Sequence, residues 1–513
     1  MNVESKRLNW KRTSPVAVVF FLFSAARQLA VNGLPAMAVI IAAYASASSG
    51  RKALILFGIL GFFIISVFSS ILHWLRFRFC ITDDRVLVRS GVFKREELSV
   101  DFGRIQNVNI REPFYMRPFG LALLSIDTAG SSKKEIVLGG IPKALAIRLR
   151  NAMLAKASSD ESESVEISDD VADQSILLSR DSKDIVIYGL TANFMIWIAI
   201  AVGAFFSTFD VSEEFGVWIM EHIDSNAAMT VIQDGLGIPS AAVILIGSLL
   251  VIFLLLPMIS VLGALVRHHG YQLRVEGETF QKSSGLLTRF NESLKRHKIQ
   301  AIVLRQNFVA GLFKRTNMQL RVASAGTAVD MGELSMALKP AFQVPALNQE
   351  ELPVLVNEFF PECEIEKVQF TRINRRKLAM VVLVWGVLPS LLPVTIVLTL
   401  LVSWGFALLL PLVLTFAWLI VNQVWTRIGY AVVGGYGFIR KGFFGTETTA
   451  FPLFKVQRVD IRQTPGQRRK GLAQLSIHLA SHTLKIPYVA IEDAIKYRDL
   501  TLYHVESSKQ AWF

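Results

Sequence analysis

The chain has little charge for its length and almost no cysteine. Charged residues make up 19% of its 513 positions, while hydrophobic residues make up 52%. That balance is unusual for a water-soluble protein and typical of one with membrane segments. Two cysteines, Cys80 and Cys363, are too few for a disulfide framework or a thiolate metal site. The sequence also lacks metal-ligand and cofactor motifs, so we expect no metal and no cofactor.

Long stretches without any charged residue are the most prominent feature of the chain. Four of them, at 28–50, 53–75, 185–208 and 238–266, are each long enough to cross a bilayer core of ~30 Å as a helix. A fifth, at 378–421, has about twice the ~20 residues that one span needs. The sequence therefore predicts an α-helical membrane protein with six spans, arranged as three hairpins.

Basic residues flank these stretches on one side, apart from Arg51 and Lys52 between the first two. No Lys or Arg occurs between Lys183 and Arg267, whereas the other flanks are rich in both. The positive-inside rule then places loop 210–237 outside and both termini in the cytoplasm of a bacterial cytoplasmic (inner) membrane. The formal net charge of +13 fits contact with anionic headgroups at ~1 kcal/mol per basic residue. We expect no nucleic-acid partner, and no disulfide in this reducing compartment.

An eight-residue motif occurs three times in the predicted cytoplasmic segments. It reads RIQNVNIR at 104–111, KIQAIVLR at 298–305 and KVQRVDIR at 455–462. A glycine stands 15 positions before each motif glutamine, which a chance match does not explain. The pairs are Gly91 with Gln106, Gly285 with Gln300, and Gly442 with Gln457.

Each motif lies within a longer repeat of alternating strands. A proline closes each copy at Pro142, Pro345 and Pro487, and we expect it in the first turn of a following helix. The unit is a small β domain that ends in a helix. The predicted segments are 1–75 with hairpin 1, domain 1 at 76–156, an acidic linker at 157–184, hairpin 2 at 185–266, domain 2 at 267–362, hairpin 3 at 363–425, and domain 3 at 426–513.

The block FCITDDRVLVRSGVFKREELSVDFGRIQNVNIREPF at 79–114 resembles the bacterial pleckstrin-homology (PH) domains of the YdbT-like membrane proteins. The resemblance covers most of the chain and implies two curved antiparallel sheets, closed at one end by a helix, in each copy. It is closest in the first copy. The second departs at the VEGE turn and by a two-residue insertion, and the third has VGGYG in place of the TDD turn.

The spacing inside the eight-residue motif predicts an irregular strand. Apolar residues at positions two, five and seven break the alternation once, so we expect a bulge or a turn at the glutamine, whose amide would satisfy backbone groups there. The terminal arginine is either a headgroup or partner site or a solvated strand end. The basic loop after the third motif has the same two interpretations. The candidate ligand residues are Arg111, Arg305, Arg462, Arg468, Arg469 and Lys470.

No catalytic constellation is evident in the predicted cytoplasmic copies, so the sequence does not indicate an enzyme. We expect a membrane-anchored scaffold that presents three PH-like domains at the inner leaflet and binds anionic lipids, together with a protein partner or further copies of itself. By analogy with the family, envelope maintenance or stress defence is the expected setting. The alternative is a transporter or lipid-handling protein with regulatory PH-like domains. The predicted spans contain few ionisable residues, which favours the scaffold.

Overall fold

The fold is described from a computed structural model of the whole chain. It describes residues 10–18, 52–82, 85–91, 95–102, 105–128, 136–159, 175–192, 254–322, 342–375, 396 and 409–508, with further short gaps inside several of these ranges. The chain divides into two compact units. The first contains 1–177, 273–295 and 324–329, and the second contains 178–272, 296–323 and 330–513.

The strands follow the three sequence repeats, with six strands and a closing helix in each copy. Copy 1 has β1 Arg78–Ile81, β2 Arg85–Ser90, β3 Glu96–Asp101, β4 Ile105–Pro113, β5 Leu121–Thr128, β6 Ile136–Pro142 and helix α1 Lys143–Ser159. After strand β7 Ser175–Ser179 and helix α2 Ser182–Ala192, copy 2 has β8 Gln272–Glu276, β9 Thr279–Ser284, β10 Thr288–Lys295, β11 Ile299–Asn307, one-turn helix α3 Phe308–Leu312, β12 Thr316–Val322, β13 Phe342–Leu347 and helix α4 Glu351–Phe359. Copy 3 follows strand β14 Thr371–Arg372 and helix α5 Leu409–Arg427, and has β15 Gly429–Val433, β16 Tyr436–Lys441, β17 Gly445–Pro452, β18 Val456–Arg462, one-turn helix α6 Pro465–Arg468, β19 Leu472–Leu479, β20 Thr483–Ala490 and helix α7 Ile491–Ser507.

Neighbouring copies share sheets. The first three strands of each copy form one antiparallel group, and the last three form another. The last group of copy 1 joins the first group of copy 2 in a seven-stranded sheet with the order β6-β5-β4-β10-β9-β8-β7. The last group of copy 2 joins the first group of copy 3 in the order β13-β12-β11-β17-β16-β15-β14. Two three-stranded sheets remain, β1-β2-β3 and β18-β19-β20.

Copies 1 and 3 each bury alternating apolar residues between their two strand groups and their helix. In copy 1 this core joins β1 and β2 to β4, β5, β6 and α1, for example through Phe79, Val108, Leu124 and Met153. In copy 3 the corresponding core includes Phe451, Leu475 and Tyr497, and it also includes Ala301 from copy 2. Copies 2 and 3 therefore share core packing as well as a backbone ladder.

None of the closing prolines lies in the first turn of a helix. Pro345 and Pro487 lie inside β13 and β20, whereas Pro142 is the last residue of β6 and directly precedes α1. These strands are bulged, with register shifts opposite β5, β12 and β19. Each bulge holds a residue with left-handed backbone: Gly140 at φ 74°, Ala346 at φ 49° and Tyr488 at φ 56°. In copies 2 and 3 the proline lies within the bulge, where the irregular ladder tolerates a residue without a backbone donor.

Short strands upstream of the apolar stretches complete the sheets, and the sequence did not reveal them. Strand β14 pairs with β15, and Lys11 makes an isolated bridge to Phe79. In copies 1 and 3 a tryptophan side chain forms a hydrogen bond with the backbone of this upstream segment. The indole of Trp74 donates to the Ser14 carbonyl at 3.1 Å, and the indole of Trp425 donates to the Ile373 carbonyl at 2.8 Å.

The predicted fold class, an α-helical membrane protein with six spans, is corrected by the structure. The described residues are mainly β-sheet, and among them no helix combines the length and the apolar character needed to cross a membrane. Of the predicted span 185–208, the structure describes only the part that lies in helix α2, up to Ala192. Most of the predicted spans, and the whole of loop 210–237, lie outside the described residues.

Candidate functional site

The eight-residue motif forms β4, β11 and β18, and each of these strands has a bulge at its glutamine. The register to the next strand shifts between Ile105 and Asn107, between Ile299 and Ala301, and between Val456 and Arg458. The predicted irregularity is therefore confirmed, and in all three copies it is a bulge. Gln300 is fully buried, whereas Gln457 is exposed. The same irregularity thus occurs in a covered strand and in an uncovered one.

Two of the three motif arginines lie where one copy meets the next. Arg111 is opposite Phe290 of β10, and Arg305 is opposite Glu447 of β17. Arg305 donates to the Glu447 carboxylate at 2.8 Å. Arg462 is exposed at the end of β18, 3.9 Å from Asp460. This geometry does not test a ligand role for the three arginines, which stays a prediction.

Glu447 is the centre of a charged group at the junction of copies 2 and 3. Its carboxylate also accepts from Lys441 at 3.0 Å. Burial alone raises the pKa of Glu447, but Arg305 and Lys441 outweigh it and hold that pKa below its usual value. The charges of Lys441 and Glu447 also act on His482. Burial, together with the positive charges of Arg321 and Lys441, lowers the pKa of His482 to about 4, so the ring is neutral at pH 7.

A one-turn segment follows the motif strand in every copy, and we name these segments tip 1 (114–119), tip 2 (308–313) and tip 3 (465–470). Asn307 caps tip 2, accepting from the Ala310 amide at 2.8 Å, and Thr464 caps tip 3 in a capping box with Gln467. Each tip ends at a residue with left-handed backbone: Gly120 at φ 62°, Lys314 at φ 51° and Gly471 at φ 61°.

Tips 1 and 2 present apolar side chains to solvent, and tip 3 presents basic ones. In tip 1 Phe114 is 55% exposed and Phe119 is 62% exposed. In tip 2 the most exposed apolar side chain is Leu312, at 68%. Phenylalanines without cover at matching positions are unusual in a water-exposed loop, and they indicate an interaction site. The other apolar residues of tip 2 that are exposed are Phe308 and Phe313, and the exposed basic residues of tip 3 are Arg468, Arg469 and Lys470.

In the first unit a second apolar turn lies beside tip 1. The antiparallel pair Thr288 with Pro113 closes the ladder between β10 and β4. Leu286 and Leu287 directly precede Thr288 in the turn between β9 and β10, and both are exposed. Tip 1 directly follows Pro113. One end of this seven-stranded sheet therefore carries two exposed phenylalanines and two exposed leucines.

The second unit repeats this arrangement and adds apolar helices. Asn307, the cap of tip 2, is opposite Gly445 at the start of β17, and its amide donates to the carbonyl of Thr191 at the end of α2. Arg427 at the end of α5 donates to the carbonyls of Phe443 and Gly445 at 2.9 and 3.1 Å. Tip 2 thus lies at the ends of both helices. Helix α5 exposes apolar side chains along its length, namely Leu414, Trp418 and Leu419.

Sequence reasoning found the basic tip 3 and missed the apolar tips 1 and 2. The signal was present, because Phe114 and Phe308 both stand three positions after the motif arginine. Lys314 was also missed. A non-glycine residue at φ 51° carries a strain of about 1 kcal/mol or more, and copy 2 retains a lysine where copies 1 and 3 have glycine.

The comparisons with known proteins agree with the repeated fold. A family model described as the bacterial PH domain matches three times, over residues 21–157, 234–358 and 378–504. A curated relative, the UPF0699 transmembrane protein YdbT of Bacillus subtilis (strain 168), is 24% identical over 503 residues, which cover 94% of this chain and 96% of the relative. No solved structure matches the chain. The resemblance stated from the sequence is confirmed, and the chain belongs to the bacterial PH domain family.

Proposed function

We propose that this protein is a membrane-associated scaffold whose PH-like copies contact the anionic surface of the bacterial cytoplasmic membrane through tips 1, 2 and 3. The observation that carries the proposal is the set of exposed apolar side chains at matching ends of the two seven-stranded sheets. Amphipathic surfaces of this kind enter the boundary between headgroups and acyl chains, and nearby basic side chains strengthen that contact. The relative that is named a transmembrane protein supports association with a membrane.

The three tips divide the contact between two kinds of interaction. Tips 1 and 2 supply apolar area, and Lys314 gives tip 2 an exposed ammonium group beside Phe313. Tip 3 has three exposed cations and no exposed large apolar side chain among its described residues. Its contact is electrostatic and weakens with salt, whereas the apolar contacts of tips 1 and 2 persist. A scaffold of this type has no catalytic role.

The experiment is site-specific fluorescence on the full chain reconstituted in vesicles of phosphatidylglycerol and phosphatidylcholine. An environment-sensitive dye is attached to a cysteine introduced at Phe114 or Phe308, and in a control variant at Asp499, which is exposed on α7. Cys80 and Cys363 are buried and are replaced by alanine. We expect lipid-borne quenchers to reach the dyes at 114 and 308 but not the dye at 499. Equal quenching of all three by aqueous iodide contradicts the proposal.

A further inference from the structure

Both junctions between copies use the same strand register. Aligned on Gly91, Gly285 and Gly442, Phe290 and Glu447 occupy the same repeat position, as do Arg111 and Arg305. The structure pairs Phe290 with Arg111 at the first junction and Glu447 with Arg305 at the second. The flanking pairs agree as well: Thr288 with Pro113 corresponds to Gly445 with Asn307. The junction is therefore a repeated interface with one geometry.

Three copies joined twice leave one half-junction at each end of the series. Strand β3 is the copy 1 equivalent of β10 and β17, and it is an edge strand of its described sheet. Strand β18 is the copy 3 equivalent of β4 and β11, and it is an edge strand of its own described sheet. An edge strand has backbone donors and acceptors available for a further strand. The edges of β3 and β18 are the two complementary halves of a third junction.

We infer that β18 of one molecule pairs with β3 of a second copy of this chain, in the register of the two internal junctions. Transferring that register places Arg462 opposite Glu96 and Asp460 opposite Leu98. The Arg462 and Glu96 pair corresponds to the 2.8 Å ion pair between Arg305 and Glu447. The partner is a second copy of this chain, because β3 and β18 carry the same repeat positions as the strands that pair at the two internal junctions.

Charge and burial agree with a contact between separate chains. Residues 299–304 of β11 are all buried in the internal junction, whereas in β18 only Val456 is buried. The residues of β11 that pack towards the next copy include Ala301, part of the copy 3 core, and the matching residue of β18 is Arg458. A polar strand stays soluble while it has no partner. Within β18, Asp460 is held by Arg458 at 2.6 Å and by His478 at 3.3 Å, so it brings no unpaired charge to the junction.

The two edges also differ in charge as the pairing requires. Strand β3 contains Glu96, Glu97 and Asp101 and no basic residue. Strand β18 contains Arg458 and Arg462 and one acidic residue, Asp460. Opposite charges across a ladder stabilise it, and like charges directly opposite destabilise it. Two copies of β3, or two copies of β18, are therefore poor partners for each other, and the pairing runs head to tail.

The test is disulfide formation between two differently tagged full-length chains in detergent, both with Cys80 and Cys363 replaced by alanine. One chain carries Glu96→Cys and the other carries Arg462→Cys. Opposed residues on neighbouring strands bring their Cβ atoms within reach of a disulfide. We expect a dimer that contains both tags. The matched control is Glu97→Cys with Arg462→Cys, which points the two thiols to opposite faces of the sheet and should give at least tenfold less product.

A charge exchange tests the register without cysteines. Glu96→Arg alone and Arg462→Glu alone each place like charges opposite one another, and we expect each to weaken self-association about tenfold in analytical ultracentrifugation. The double variant Glu96→Arg/Arg462→Glu restores opposite charges and should return to within about threefold of the original dissociation constant. Circular dichroism establishes that each variant is folded.

Several outcomes overturn the inference. One is a folded chain that stays monomeric at all concentrations, and another is a cross-link within a single chain that carries both cysteines. A cross-link in cell membranes to a different protein instead of a second copy also overturns it. Loss of the dimer leaves the lipid quenching at tips 1 and 2 unchanged, so failure here is distinguishable from failure of the membrane-contact proposal.

Discussion

The buried arginine of the second unit gives the most quantitative test of the structure. The Arg180 side chain is 2% exposed and makes two hydrogen bonds with the Glu351 carboxylate, at 3.0 and 2.6 Å. Asp184 lies 3.5 Å from Arg180 and is itself paired with Arg315 at 2.9 Å. Burial raises the pKa of Glu351, but the hydrogen bonds from Arg180 and from the Asn348 amide outweigh burial and lower that pKa.

The replacement Glu351→Ala leaves Arg180 buried with Asp184 as its remaining described carboxylate neighbour. Removing one partner of a buried ion pair costs about 3 to 5 kcal/mol, and we expect the lower end because Asp184 compensates in part. For a unit of this size, that cost corresponds to a decrease of roughly 5 to 8 °C in the melting temperature. The assay is thermal unfolding of the full chain in detergent, followed by near-ultraviolet circular dichroism.

Two further variants separate the charge from its surroundings. Glu351→Gln retains a side-chain acceptor for the Asn348 amide and removes the charge, so it should lose most of the same stability. Arg180→Met/Glu351→Met removes both charges and retains apolar volume, and we expect it to recover more than half of the loss. If Glu351→Ala melts within about 2 °C of the original chain, or if the double variant is less stable than either single one, the pair does not stabilise the fold as described.

Three further predictions concern other buried polar groups. Gln300→Ala should lower the free energy of unfolding by about 1 to 3 kcal/mol. Gln457→Ala, at an exposed position, should change it by less than about 0.5 kcal/mol. Equal losses of the two variants in denaturant unfolding would contradict the difference in burial. The pKa of His482 is about 4 in the folded state, against an ordinary value of 6.5. The folded state therefore binds fewer protons than the unfolded state between these values, and stability falls as the pH falls from 6.5 to 4. His482→Gln should flatten that part of the pH profile of the melting temperature. The buried Lys455 amine donates to the His297 and Ile299 carbonyls, and burial, aided by Lys298, lowers its pKa to about 8 from 10.5. The unfolded state binds more protons between pH 8 and 10.5, so this group makes stability rise with pH across that window, and Lys455→Met should remove the rise.

Local patterns predicted the local features of this fold. The broken alternation around Gln106, Gln300 and Gln457 predicted the bulges, because a bulge disturbs the period of the strand that contains it. The strand-then-helix order of each copy was also visible. The prolines misled, since a proline in a bulged strand and a proline in the first turn of a helix both avoid a lost hydrogen bond.

The shared sheets had no such signal. Pairing between β4 and β10, or between β11 and β17, joins residues of different copies. The alternation of apolar residues within a strand shows which face is buried, but it does not show which other strand pairs with it. The apolar tips were missed for a related reason. Phe114 is adjacent to a strand with a strong pattern, and only its exposure distinguishes it from a core residue. The six spanning helices were predicted from long stretches without charged residues. A lack of charge in the sequence does not determine how long a helix is.

The shared ladders determine how the protein can be divided. A fragment cut at the boundaries of the middle copy would lose the partner of β10 and the partner of β11, strands that lie side by side with β4 and β17 in the intact chain. Such a fragment would expose two open edges, one of them formed by the buried residues 299–304, and it would tend to aggregate. The three copies are repeats in sequence, yet the unit that folds is larger than one repeat. Deleting a copy should therefore impair the remaining ones, and functional studies need substitutions in the whole chain in place of excised domains.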